Sequence, residues 1–184
     1  MRLLETERLI LRPFHAGDGA AMFRNWASDP AVTQFLTWPV HESAEASEQL
    51  VLCWAEGSSR PAFYQWAIEL RAIGEPIGSI SVVRQDAEIG EAEIGYCIGR
   101  RWWGQGLTAE ALRAVVRFLI TEVGANRVCA RHDVSNPNSG RVMEKAGMTK
   151  EGVLRAAARN NRGVVDMAVY SILACECPQA DAAF

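Results

Sequence analysis

Between residues 101 and 106 the chain reads Arg-Trp-Trp-Gly-Gln-Gly, and a strong helix-forming run begins at Leu107. A helix N-terminus presents N–H groups without intrahelical partners and a partial positive charge. A phosphate reaches those groups only where the backbone is bare. Gly104 and Gly106 remove the Cβ atoms that would stand in the way and permit unusual backbone angles. Arg101 adds a cation at the entrance. The stretch reads as a diphosphate cradle; the plainer alternative is a pair of glycines that only turns the chain. A P-loop does not fit, because Gly106 is followed by Leu107-Thr108 and the terminal phosphates have no lysine. The dinucleotide spacing is met with Ala109 in the third place, but that loop follows the first strand of a parallel unit. This one lies mid-chain, behind an antiparallel meander.

The elements that must position this loop follow from the hydrophobic period. Residues 92–98 read as the strand before it. Residues 107–123 read as the helix after it, with Leu107, Ala111, Leu112, Val115, Val116, Leu119 and Ile120 as its apolar stripe. Upstream, 8–14 is a first strand and 17–28 a helix with Asp18 placed to cap it. Residues 29–39 are irregular and 42–57 form a second helix. Strict alternation over 63–70, a turn at 74–76 and a return over 77–83 make a hairpin. Downstream, 125–134 is a strand. Residues 135–147 form a short helix, with Asn136 able to cap, Pro137 suited to its first position and Gly147 to its stop. Strands 148–155 and 164–173 close the chain around a loop at 156–163. Trp102 and Trp103 point apart, so one packs and the other shields a groove.

Composition bounds the function. The 184 residues suit one domain, 1–184, with 174–184 as a C-terminal tail. A net charge of −3 gives no field that would draw nucleic acid or an anionic membrane. The five cysteines are odd in number and lack a C-x-x-C pair, which points to reduced thiols and a cytoplasmic setting. No signal peptide and no membrane-length apolar run is present. No cluster of metal-ligand type occurs, so no metal is expected.

Arg101-x-x-Gly104-x-Gly106, between a strand and a helix, resembles the acetyl-CoA motif of the GCN5-related N-acetyltransferases. The wider match is similar to their ribosomal-protein-acetylating branch and spans nearly the whole chain: residues 4–14, 75–82, 92–112, 136–148 and 151–173. Met148 departs from the phenylalanine more usual there. The resemblance implies a mixed α/β (α+β) fold. Its central, mostly antiparallel sheet has about seven strands flanked by about four helices, splayed between the fourth and fifth strands, 92–98 and 125–134. It implies acetyl-CoA as cosubstrate, with the pantetheine arm pairing with the backbone at Tyr96, Cys97 and Ile98. The pyrophosphate would lie on the amides of Trp102, Trp103, Gly104, Gln105, Gly106 and Leu107, with Thr108 near and Asn136 bonding the arm. The partner is a primary amine, of a protein N-terminus or a small molecule, and the chain acts as a monomer or homodimer.

Acetyl transfer from a thioester needs a neutral amine, donors for the carbonyl oxygen and a proton for the departing thiolate. Glu93, on the strand leading to the thioester, is the candidate base through a water; the alternative is a solvated or arginine-paired carboxylate. A strand N–H near Cys97 or Ile98 is the candidate oxyanion donor. Ser139, the serine of N-x-x-S, is placed by the resemblance near the cofactor sulfur, and Tyr170 is a second possible donor. Cys97 has no paired histidine, so direct transfer in a ternary complex is preferred over a covalent carrier. Phe35, Trp38, Arg155, Asn160 and Arg162 are candidate acceptor contacts. Two other classes stay open: a CoA-binding sensor without activity, and an enzyme of a different diphosphate nucleotide.

Overall fold

The computed structural model describes residues 1–177. Eight strands form, β1 (Leu4–Glu5), β2 (Leu9–Pro13), β3 (Gln65–Leu70), β4 (Glu75–Asp86), β5 (Glu91–Ile98), β6 (Arg127–Asp133), β7 (Thr149–Asn160) and β8 (Gly163–Leu173). They make one sheet in the order β1-β2-β3-β4-β5-β6-β8-β7. Every neighbouring pair is antiparallel except β5 with β6, which is parallel. Five α-helices accompany the sheet: α1 (Asp18–Met22), α2 (Pro30–Thr33), α3 (Ala44–Gly57), α4 (Leu107–Phe118) and α5 (Pro137–Lys145).

Each face of the sheet has its own apolar layer. The alternation over 63–70 sends Trp66 and Ile68 into one and Ala67 into the other. The first layer packs α4, through Leu107, Ala111, Leu112, Val115 and Val116, against Leu9, Leu11, Ile80, Ile94 and Val128. Leu112 is fully buried there, and truncating such a leucine to alanine costs about 2–5 kcal/mol. The second layer gathers Phe14, Met22, Trp26, Val32 and Val51 around Ala67.

Several expectations need correction. The strands number eight rather than seven, because Leu4 and Glu5 pair with Leu11 and Ile10 at the edge. The helices number five rather than four. Within the segment read as irregular, Asp29 accepts from the Ala31 N–H at 2.9 Å and Pro30 opens α2. Asp18 does not cap; it is buried and bound by both terminal guanidinium nitrogens of Arg12, at 2.7 and 3.0 Å. The helices expected at 17–28 and 107–123 each finish in a π-helical turn, Phe23–Ala27 and Leu119–Val123. The loop expected at 156–163 is mostly strand. A register shift between Leu154 and Ala158, with Ala156 at φ 48°, bends β7 without ending it. Of the tail, Ala174–Glu176 make a short 3-10 turn, and 178–184 lie outside the described residues.

Candidate active site

The single parallel contact in the sheet is short. β5 and β6 pair at four positions, from Glu91↔Arg127 to Ile94↔Ala130, and then separate. On its other side β5 stays zipped to β4 as far as Ile98. Gly99 donates to the Ile77 carbonyl at 2.9 Å. Antiparallel alternation then turns the Cys97 main chain toward β4 and those of Tyr96 and Ile98 toward the gap. The Ile98 carbonyl accepts from the Trp103 indole at 2.9 Å, so the Ile98 N–H is the donor β5 presents at the gap's mouth.

The predicted cradle forms at the same mouth. Gly104 and Gly106 have φ of 76° and 78°, a left-handed region costly for any residue with a Cβ. A Cβ at Gly104 would meet no protein atom within 4 Å. Gly106 stands at the N-cap of α4, and no side chain caps the helix. The first-turn amides of α4 therefore face the cleft as an anion site. Glu110, the acid of that turn, is drawn aside by Thr6 and Arg8 at 2.6 and 2.7 Å. Trp102 is buried and Trp103 exposed, as their divergence required.

A cleft of about 590 Å³ joins the cradle to the gap. Of the expected cofactor residues, Tyr96, Cys97, Ile98, Trp102, Trp103, Gly104, Gly106, Thr108, Asn136 and Ser139 line it; Arg101, Gln105 and Leu107 do not. Arg101 lies over the Trp102 ring at 5.9 Å, and the Gln105 carbonyl accepts from Arg8 at 3.0 Å. Leu107 turns its side chain into the core. Asn136 holds the N-cap position of α5 but makes no cap bond, leaving its amide to the cleft.

Ser139 on α5 meets β5 across the gap. The Tyr96 hydroxyl donates to the Ser139 carbonyl at 3.0 Å and lies 2.9 Å from its Oγ. Burial pushes the Tyr96 phenol well above its ordinary range, against the hydrogen bond to Ser139. Tyr170 is elsewhere: it donates to Glu144 at 3.2 Å, on the far side of α5. Burial also pushes the Cys97 thiol upward, beside Ser79, which argues against a thiolate nucleophile there.

Glu93 is held in an ion-pair chain outside the cleft. Arg131 binds both of its oxygens, at 2.7 and 2.5 Å, and Arg84 adds a third bond at 3.0 Å. The chain continues through Arg84 to Glu91, Arg127 and Glu151. Burial opposes the Glu93 charge, but the guanidinium bonds outweigh it and hold the carboxyl below the usual range. This is the arginine-paired alternative, and it argues against the base role. No Asp, Glu or His lines the cleft among the described residues.

The gap's other end is walled by α2 and the segment behind it. Ala31, Val32, Gln34, Phe35 and Leu36 line the cleft. The β7–β8 turn clamps this wall: Asn161 donates to the carbonyls of Thr33 and Trp38 at 2.9 and 2.7 Å, and its N–H to that of Leu36 at 3.1 Å. Arg162 covers the Phe35 ring at 5.4 Å. Asn160 instead binds Asp133 at 2.9 Å, and Trp38 and Arg155 do not line the cleft.

Sequence reasoning missed Arg141 and Lys145, whose charges reach the cleft beside Asn138 and Val142. The signal was available, since residues 138, 141/142 and 145 share one helical face with the expected Asn136 and Ser139 neighbourhood. The Tyr96 side chain was missed as well. Free amides at α4, bare glycines and two cations fit a phosphorylated carrier. No group of three or more His, Cys, Asp or Glu among the described residues is placed to hold a metal. No helix among them is long and apolar enough to cross a membrane.

Residues 8–149 match the family described as the acetyltransferase (GNAT) domain. The chain is 33% identical over 171 residues to the uncharacterised N-acetyltransferase YoaA of Bacillus subtilis, covering 93% of this chain and 96% of that protein. A shorter similarity, 37% over 59 residues, covers 32% of this chain and 30% of the uS5-alanine N-acetyltransferase of Escherichia coli. Among solved structures, a GNAT-family acetyltransferase from Bacillus anthracis superimposes with a TM-score of 0.82 at 24% identity, covering 94% of this chain and 99% of that one. RimL, a ribosomal L7/L12 acetyltransferase in complex with coenzyme A, gives a TM-score of 0.81 at 22% identity, covering 94% of this chain and 98% of that one.

Proposed function

Because the chain belongs to the GNAT acetyltransferase family, we propose that it transfers an acetyl group from acetyl-CoA to a primary amine, by direct attack in a ternary complex. The observation that carries this is one continuous cleft joining uncapped α4 amides to the β5–β6 gap, with Ser139 at the crossing. In this reading the amides from Trp102 to Leu107, with Thr108, take the pyrophosphate. Arg141 and Lys145 add charge for phosphate. The pantetheine arm lies in the gap against Tyr96 and Ile98, with Asn136 bonding it.

The amine nitrogen attacks the thioester carbonyl and the Ile98 N–H receives the developing oxyanion. The carbon–sulfur bond then breaks. Ser139, held in place by Tyr96, gives the thiolate its proton and recovers, through water, the proton that the attacking nitrogen releases as it becomes the amide. Glu93 anchors β5 to β6 below the gap and touches no reacting atom. With no base lining the cleft, the amine enters already neutral. An α-amine, with pKa near 7.7–8.0, has about 200- to 300-fold more neutral form at pH 7.5 than a lysine-type amine at about 10.4. That favours α-amines, of a protein N-terminus or of a small molecule. A cytoplasmic setting fits the five free thiols.

The experiment is thiol release from acetyl-CoA at pH 7.5 with N-terminal peptides, amino-acid amides and alkylamines. Turnover on α-amines above alkylamines is the expected result. Tight CoA binding without turnover on any amine would instead make the protein a CoA sensor.

A further inference from the structure

The turn between β1 and β2 grips the cradle from outside the cleft. Glu110, in the first turn of α4, accepts from Thr6 Oγ1 at 2.6 Å and from the Arg8 N–H at 3.0 Å. The Arg8 side chain closes on the same carboxylate, with Nε at 2.7 Å and Nη2 at 2.6 Å. Burial opposes the Glu110 charge, but the bonds from Thr6 and Arg8 outweigh it and hold the carboxyl below the usual range. A guanidinium is a rigid planar fork, so two bonds along one edge fix the direction of the remaining nitrogen. That nitrogen, Nη1, donates to the Gln105 carbonyl at 3.0 Å.

The bond to Gln105 matters because of the glycines on either side. Gly104 and Gly106 both have positive φ, at 76° and 78°. Glycine takes either sign of φ about equally readily, so a peptide unit beside it turns over at little steric cost. The Gln105–Gly106 unit is planar and trans, with its C=O and N–H on opposite sides. Anchoring the carbonyl on Arg8 therefore turns the Gly106 N–H away from Arg8. Gly106 lines the cleft and Arg8 does not. The orientation that satisfies Arg8 is the one that offers an N–H to an anion. The flipped unit would present a carbonyl oxygen, which repels phosphate.

We propose that Arg8 is a positioning residue of the cofactor site: aimed by Glu110, it locks the Gln105–Gly106 peptide with its N–H side toward the pyrophosphate. The inference rests on the reading that acetyl-CoA lays its pyrophosphate in this cradle. Arg8 touches neither cofactor nor acceptor and acts through Gly106. A lysine cannot take its place. Its ammonium is a point charge on a flexible stem and lacks the fork that holds Glu110 and Gln105 together at fixed angles.

The test is calorimetric titration of CoA into the parent protein, Arg8→Lys and Arg8→Met, with a melting curve of each and steady-state kinetics. Arg8→Lys keeps the ion pair with Glu110, so it should stay folded even where Arg8→Met does not. Each folded variant should bind CoA at least about tenfold more weakly, roughly what a hydrogen bond to a charged group contributes. KM for acetyl-CoA should rise in step, with kcat at saturation and KM for the amine within threefold. A residue that only held the fold together would move KM for the amine as well. The proposal is wrong if Arg8→Lys binds CoA within twofold of the parent, since charge alone would then suffice. It is also wrong if KM for the amine rises as much as KM for acetyl-CoA. A parent that binds no CoA would sink the reading of the cradle and this inference with it. A parent that binds CoA but acetylates no amine would sink only the reading of acetyl transfer, and the titration would still decide the role of Arg8.

Discussion

The Tyr96 hydroxyl reaches across the β5–β6 gap to Ser139, bonding its carbonyl at 3.0 Å and standing 2.9 Å from its Oγ. With the Tyr96 proton on the carbonyl, the serine hydroxyl donates back to the Tyr96 oxygen, and the two contacts fix the serine where strand, helix and cleft meet. Tyr96→Phe keeps the ring and removes both contacts. A net hydrogen bond is worth about 1 kcal/mol, so kcat should fall roughly five- to tenfold. Ser139→Ala, which removes the proposed proton donor, should cost more, about 10²-fold. Steady-state kinetics check both, with KM for acetyl-CoA expected to move less than kcat.

Gly104 offers a clean probe of the cradle, since a Cβ there touches no protein atom within 4 Å. Gly104→Val should leave a folded protein, less stable by about 1–2 kcal/mol from the left-handed backbone alone. CoA affinity should fall at least tenfold as the side chain invades the anion's approach. Calorimetric CoA titration with a melting curve separates the two effects.

Glu93→Gln discriminates between base and anchor. An essential base would contribute about 10²–10⁴-fold to the rate. As an anchor, its replacement should lower kcat less than tenfold and leave the rising limb of the pH–rate profile in place. That limb should instead follow the acceptor, sitting near 8 for an α-amine and moving up for an ε-amine.

The same ion-pair chain sets an acid limit on stability. Glu93 and Glu91 are held low by arginine bonds that outweigh burial, and Glu151 first by its bond from Arg127. A carboxyl with a depressed folded pKa stabilises fully above its unfolded value, about 4.3 for Glu. That contribution is lost as pH falls through the lower folded value. Urea unfolding between pH 7 and pH 3 should show the loss beginning below about 4.3. It should be smaller in Glu93→Gln.

Asn161→Ala should loosen the acceptor wall alone. It removes the side-chain bonds to Thr33 and Trp38 and leaves the cradle untouched. KM for the amine should rise at least threefold, by roughly the worth of one hydrogen bond, with CoA affinity within twofold.

The cradle was legible because its requirement is local: glycines at Gly104 and Gly106, a strand before and a helix after, all within one stretch of chain. Ser139 came from the family resemblance rather than from any local requirement, and the structure puts it on the cleft wall. Glu93 was not, because its partners Arg84 and Arg131 stand 9 and 38 residues away, and no spacing rule joins them. Nor was the Tyr96–Ser139 bond, which spans 43 residues. The loop expected at 156–163 failed for a different reason: Asn160, Asn161 and Gly163 are turn residues, but the bulge at Ala156 lets strand pairing run up to them.

The four-position seam between β5 and β6 makes the sheet two leaves on a single spine, stitched by guanidinium and carboxylate. In the proposed reading, a carrier lying between the leaves pairs with β5 as a ninth strand. Amide exchange should register this as a gradient, slowing most at Tyr96 and Ile98 when the carrier binds and hardly at all at Val128, where the binding is already sewn.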